Sequence, residues 1–222
     1  MVSSFEELVS TRFAGDVNAL CWERKLPGDF REVVERLGVG KGITTIDEDR
    51  LRALVLSDAG QVARDVLLQD QEMLRSRELA PVLDCINGYD DPADAGPMRT
   101  DVQSWHVDSA TVEADTYLCT YHGASSEGLR NEDAMRRVDI PETRAELLKL
   151  YGRDDDEGFI EFLSDNFFNL HYAALPHAQP FSFGVGNLWR LAIKYPGCPV
   201  EPCVHRAPAT QLGESARLLL IS

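Results

Sequence analysis

Among the 222 residues, the stretch Trp105-His106-Val107-Asp108 sets an imidazole and a carboxylate two positions apart. On a strand, residues i and i+2 face the same way, so His106 and Asp108 can project together and share one ion. Adding one further histidine would complete a facial triad, the ligand set of non-haem iron(II), which leaves coordination positions open. Near the C-terminus, Cys203-Val204-His205-Arg206-Ala207-Pro208 places a histidine at the end of an expected strand. Arg217 follows on the apolar run Ala216–Ile221, and an arginine there needs a partner, because burying an unpaired charge is costly.

The elements expected to position these residues change character along the chain. Phe30, Val33, Val34 and Leu37 fall at helical spacing between Asp29 and Gly38, and Leu51, Leu54, Val55, Val62, Val66, Leu67, Met73 and Leu74 continue the pattern. Residues 1–80 therefore read as a mainly helical layer. From Pro81 onward, short apolar or alternating runs are separated by Gly, Pro, Asn and Asp, as strands and turns are. Strands are predicted at Val82–Ile86, Val102–Val107, Thr116–His122, Phe181–Val185, Leu188–Ile193, Pro202–Arg206 and Ala216–Ile221. Helices are predicted around Pro141–Leu150 and Phe159–Leu170, within an insertion at 124–180 that could form a lid. The predicted fold is α+β, one domain over 1–222, with the helices packed on an antiparallel β-barrel at 81–222.

Composition bounds the function. A hydrophobic fraction of 44% and a charged fraction of 27% are those of a folded globular protein. The net charge of −15 disfavours nucleic acid and anionic lipid as partners. Residues 166–222 nevertheless carry four basic against two acidic side chains, so an anionic small molecule is expected to be held there. No run approaches the roughly 18 apolar residues of a membrane span. The start has no basic segment followed by an apolar one, and the five cysteines are scattered, as reduced thiols are. Cytoplasmic residence is expected.

The order His-x-Asp, distant His, then Arg about a dozen residues on resembles the iron(II)- and 2-oxoglutarate-dependent dioxygenases, from about Val102 to the C-terminus. Thr120-Tyr121-His122-Gly123, Asn131-Glu132-Asp133 and the segments around His205 and Arg217 also resemble an uncharacterised bacterial family placed on the same barrel. The first resemblance implies a double-stranded β-helix of jelly-roll or cupin-like type. It implies that His106, Asp108 and His205 ligate Fe(II), that Arg217 pairs with the distal carboxylate of 2-oxoglutarate, and that O2 is the oxidant. Imidazoles and a carboxylate suit iron(II), and a planar guanidinium suits a carboxylate. Related halogenases replace the carboxylate with a small residue. Asp108 therefore favours hydroxylation, desaturation or oxidative cyclisation of a small molecule such as an amino acid or natural-product precursor.

Alternate residues of the strands should line the cavity. Tyr121 and Trp189 are expected beside the co-substrate, and Thr120, Arg190 and Arg206 toward the substrate, the arginines as partners for a substrate carboxylate. Core aromatics and solvated charges are the alternatives for these positions. His122, His171 and His177 read as structural or lid residues. Cys198, Cys203 and His205 could instead suggest zinc, but no second Cys/His pair accompanies them. Asp154–Glu157 lacks the ligand spacing of a calcium loop. A non-catalytic cupin-like barrel that binds a small ligand or a partner is the rival reading.

Overall fold

The computed structural model describes residues 1–89, 96–209 and 215–222. The N-terminal layer contains α1 (Phe5–Ser10), α2 (Phe30–Leu37), α3 (Glu48–Arg52) and α4 (Asp58–Arg75), with β1 (Ala19–Trp22) and β2 (Gly42–Thr45) between them. Helix starts follow local chemistry: the side chains of Ser4, Asp29, Asp47 and Ser57 each accept from a backbone N–H of the first turn. Helix α2 ends where Gly38 turns left-handed, and its buried face is Phe30, Val33, Val34 and Leu37, as the spacing predicts. The two strands were not expected within residues 1–80. Both are four-residue edge strands whose hydrogen-bonding partners, β9 (Leu188–Ala192) and β3 (Val82–Asn87), lie far along the chain, and local periodicity carries no sign of such partners.

The main sheet is antiparallel, in the order β1-β9-β4-β11-β3-β2, with β3 at Val82–Asn87, β4 at Asp115–His122, β9 at Leu188–Ala192 and β11 at Arg217–Ile221. Alternation divides its side chains between two faces. Tyr117, Cys119, Tyr121, Leu218 and Leu220 pack with the helices in the largest core cluster. Leu118 and Leu219 face the other way, joining Ile86, Phe183, Leu191 and Cys203 in a second cluster. The six consecutive buried residues of β4 follow from this double cover.

The second layer is a three-stranded sheet, β10 (Val204–Arg206), β5 (Glu127–Leu129) and β8 (Phe181–Ser182). His106 extends it through bridges to His205 and to His171, the latter next to the pair β7 (Tyr172–Ala174) and β6 (Ala134–Arg136). Gly128 lies where an added Cβ would fall 2.3 Å from the Phe181 ring and 2.7 Å from that of Phe183, so β5 admits the aromatic packing only because it has no side chain there. Helices α5 (Pro141–Tyr151) and α6 (Glu157–Asp165) form a separate cluster with Met98, Val138 and Phe168.

This architecture is α+β with an antiparallel six-stranded sheet and N-terminal helices. Among the described residues the two layers are joined by isolated bridges, and no barrel closure by continuous hydrogen bonding is found. The predicted strand Val102–Val107 is corrected: this segment makes only single-residue bridges. Residues 124–180 contain β5 of the second layer, the separate pair β6 and β7, and the helices α5 and α6. No helix among the described residues is long and apolar enough to cross a membrane.

Between the helices and the main sheet lies one charged network. Arg24 pairs with Asp70 at 2.8 Å, with side-chain exposures of 8% and 4%, and the Tyr121 hydroxyl donates to the same carboxylate at 2.6 Å. Removing the carboxylate strands a buried guanidinium. Asp70→Ala is expected to lower unfolding free energy by about 3–5 kcal/mol, measured by urea denaturation; a loss under about 1 kcal/mol, as for an exposed pair, would show that water compensates Arg24.

Candidate metal centre

Although no regular strand forms there, Trp105-His106-Val107-Asp108 alternates as a strand would. Trp105 and Val107 are buried in a cluster with Leu129, Leu170 and Val204 on the outer side of the second layer. His106 and Asp108 consequently point inward. The segment is held from both sides. His106 and His205 exchange two backbone hydrogen bonds, each of 2.9 Å, while Val107 N–H donates to Leu170 at 3.0 Å and Tyr172 N–H to Trp105 at 2.8 Å. Lys194 N–H donates to the Asp108 carbonyl at 2.8 Å.

His106, Asp108 and His205 thereby converge, with one ligand atom from each lying within 4.8 Å of the others. The imidazole orientations follow from their second nitrogens. His106 Nδ1 lies 2.7 Å from the Ser104 carbonyl, and His205 Nδ1 lies 3.1 Å from the Cys203 carbonyl. A carbonyl only accepts, so each Nδ1 carries the proton and each Nε2 presents a lone pair. These Nε2 atoms face the Asp108 carboxylate at 3.8 Å for His106 and 3.6 Å for His205. Both distances exceed a hydrogen bond. Three acceptors facing one another repel unless a cation sits among them, and this donor set suits a divalent transition metal.

Electrostatics keeps His106 ready to ligate. Burial lowers its pKa, and the neighbouring His205 lowers it further, so the neutral ring is favoured. The carboxylate is oriented in turn by Thr116, whose hydroxyl donates to Asp108 Oδ2 at 2.6 Å.

Arg217 stands on the same inward-facing side. Its strand neighbours Leu218 and Leu220 face the helices, whereas Leu219 and Arg217 face the second layer. It is 5% exposed, donates to the hydroxyls of Ser126 at 2.6 Å, Thr120 at 3.0 Å and Tyr89 at 3.3 Å, and leaves Nε without a partner among the described residues. No ion pair is made to it among the described residues. Desolvation lowers its pKa from the ordinary arginine value. Gly123 lets the β4 end turn pass close by: with φ of 81°, an added Cβ would come within 3.0 Å of the Arg217 Cα. Ser126 lies two residues before Gly128, which pairs with His205, and the Phe183 ring lies 6.5 Å from that of His205.

The other expected site residues are distributed differently. Thr120 does adjoin Arg217. Tyr121, its neighbour on β4, necessarily points to the opposite face, where it stacks on Phe30 and bonds to Asp70; its expected place beside a co-substrate is corrected. Trp189 packs behind Phe183 at 4.5 Å and donates to the Phe183 carbonyl, which makes it a support for that ring. Arg190 also faces the helical layer, paired with Asp115 and bonded to the carbonyls of Leu8, Val9 and Thr11. Arg206 is paired with Glu127 and lies over Trp105. Both arginines are thus committed within the protein, contrary to the expected substrate role.

His122 contacts Ser215 and His177 contacts Asp133. Cys198 Sγ contacts the Val200 carbonyl, Cys203 is buried with its thiol pushed up to about 12 by desolvation, and neither joins a metal-competent group among the described residues. In the acidic turn, Asp155 pairs with Arg144 and Asp156 caps α6. Residues that sequence reasoning passed over are Thr116, Ser126, Tyr89 and the inward placement of His171; only the last had a signal, as a histidine without an assigned metal spacing.

Comparison of the chain with models of known families and with curated proteins finds no match.

Loss of an outer hydrogen bond to a ligating carboxylate weakens metal binding by about 10- to 100-fold. Thr116→Val is expected to show that loss for iron(II) or cobalt(II) in anaerobic calorimetric titration, with the fold intact; unchanged affinity would mean that Asp108 is oriented by its backbone alone.

Proposed function

We propose that this chain is an iron(II)- and 2-oxoglutarate-dependent oxygenase acting on an unactivated C–H bond of a small molecule. The observation that carries the reading is a pair of charged groups that face the space between the two layers. Three lone pairs converge at His106, Asp108 and His205, and the buried guanidinium of Arg217 has hydroxyl partners and no carboxylate among the described residues. A divalent metal answers the first and a carboxylate the second. His106, Asp108 and His205 would hold iron(II), and Arg217 the distal carboxylate of the co-substrate.

Iron(II) with 2-oxoglutarate supplies oxygen activation coupled to decarboxylation of the co-substrate to succinate. The chain's own residues do the placing. Hydroxyls of Ser126, Thr120 and Tyr89 accept from the guanidinium and set its plane, so that a bound carboxylate meets a fixed fork. Leu219, Leu118, Ile86 and Phe183 provide an apolar surround, which strengthens charge pairing by excluding water. Asp108 fills the position that a halide would need, which favours hydroxylation, desaturation or oxidative cyclisation.

On this reading the two facing sheets are a double-stranded β-helix whose closure is interrupted, and the substrate is an amino acid or natural-product precursor. The free cysteines suit a reducing cytoplasm, and the acidic surface disfavours nucleic acid as a partner.

Anaerobic addition of iron(II) and then 2-oxoglutarate to the folded protein is expected to produce a weak visible charge-transfer band. His106→Ala should abolish it, and Arg217→Ala should raise the 2-oxoglutarate concentration needed by about tenfold or more. A protein that binds iron(II) yet gives no band at saturating 2-oxoglutarate would sink the oxygenase reading and leave a ligand-binding sandwich.

A further inference from the structure

A third imidazole stands in the same row. His205 and His106 form a hydrogen-bonded cross-strand pair, and His106 and His171 form a non-hydrogen-bonded pair, because the flanking bonds run from Val107 to Leu170 and from Tyr172 to Trp105. Directly opposed residues place their side chains on one face. All three rings therefore share the inner face, with centroids 4.5 Å apart for His106 and His205 and 5.9 Å apart for His106 and His171. Leu170, one residue before His171, is buried in the outer cluster, as alternation requires.

His171 differs from the two ligand histidines in one respect. His106 and His205 each commit Nδ1 to the carbonyl two residues earlier. His171 is 4% exposed, and its Nδ1 is buried without a well-formed hydrogen bond among the described residues, the Trp105 backbone being the one main-chain group that acts on the ring. An imidazole held in place by cross-strand pairing, next to a metal ligand and with a buried polar atom unmet, carries a cost that a bound ligand would relieve. It lies outside the group of atoms close enough to share one metal with His106, Asp108 and His205.

We propose that His171 is a positioning residue that would hydrogen-bond a small anionic ligand of the metal that His106, Asp108 and His205 would hold. This inference rests on the metal-centre reading above. An imidazole can offer an N–H to a coordinated oxygen or nitrogen atom, so the ligand class is a carboxylate or a small inorganic anion with a lone pair beside the metal. The residue acts on the bound ligand and leaves the metal's own affinity to the triad.

The test uses cobalt(II) and azide as probes, read by the visible spectrum of the cobalt protein under anaerobic conditions, with circular dichroism to check folding. His171→Ala is expected to bind cobalt(II) within about twofold of the wild type while its azide affinity falls about tenfold or more. His171→Asn, which keeps an N–H donor, should recover much of that loss. Unchanged azide affinity in His171→Ala overturns the proposal, as does a tenfold loss of cobalt(II) affinity, which would make His171 a ligand. Should His171→Ala not fold, His171→Phe fills the space without a donor and is judged against His171→Asn by the same criteria. Failure of the wild type to bind cobalt(II) sinks the metal-centre reading itself, whereas normal cobalt(II) and azide binding by the variant removes only the role of His171.

Discussion

Two backbone hydrogen bonds between His106 and His205 are the constraint on which the site depends. The two residues belong to distant parts of the chain, and no regular strand surrounds His106. Reciprocal N–H to carbonyl bonding nevertheless fixes them opposite each other, and opposed residues must share a face. Once that face is set, Asp108 joins them by alternation, and Trp105 and Val107 anchor the other side by apolar burial. The convergence of three lone pairs is thus imposed by the backbone and defended by hydrophobic packing. Because the side chains themselves repel without a cation, the pairing must hold them against their electrostatics.

The same parity rule organises the facing sheet. Strands β4 and β11 are buried on both faces, one against the helices and one against the second layer. A step of one residue therefore moves a side chain between two different environments. Thr120 accepts from the buried guanidinium of Arg217, while Tyr121 belongs to the Arg24 and Asp70 network behind the sheet. Arg190 is separated from Trp189 in the same way, and its charge is satisfied by Asp115 and the carbonyls ending α1. The molecule thus contains several buried or half-buried arginines, of which Arg217 is distinctive in having hydroxyl partners and no carboxylate among the described residues.

Much of this was legible in the chain before folding was considered. Helix α2 could be read from its spacing, its Asp29 cap and its Gly38 stop, since all three act within a dozen residues. The strands β3, β4, β9 and β11 could be read from apolar runs between turn residues. Edge strands β1 and β2 could not, because their stability comes from partners supplied by distant segments. The segment around His106 illustrates both sides: its alternation was visible, whereas its regular strand character was not realised, because its neighbours bond it only at single residues.

By itself the sequence determined the local chemistry: the residues able to ligate a metal, the two-residue step that aligns His106 with Asp108, and an arginine in an apolar run with no local partner. Residue type and short-range periodicity are local properties, so they survive without coordinates. Only the tertiary structure decided that His205 joins that pair, that Tyr121 and Arg190 face away from it, that Thr116 orients Asp108, and that His171 stands in the same row. These facts depend on strand register and on which face of a doubly covered sheet each side chain occupies. Both are set by pairing between segments far apart in the chain, and a one-residue shift in that pairing would reverse every one of them.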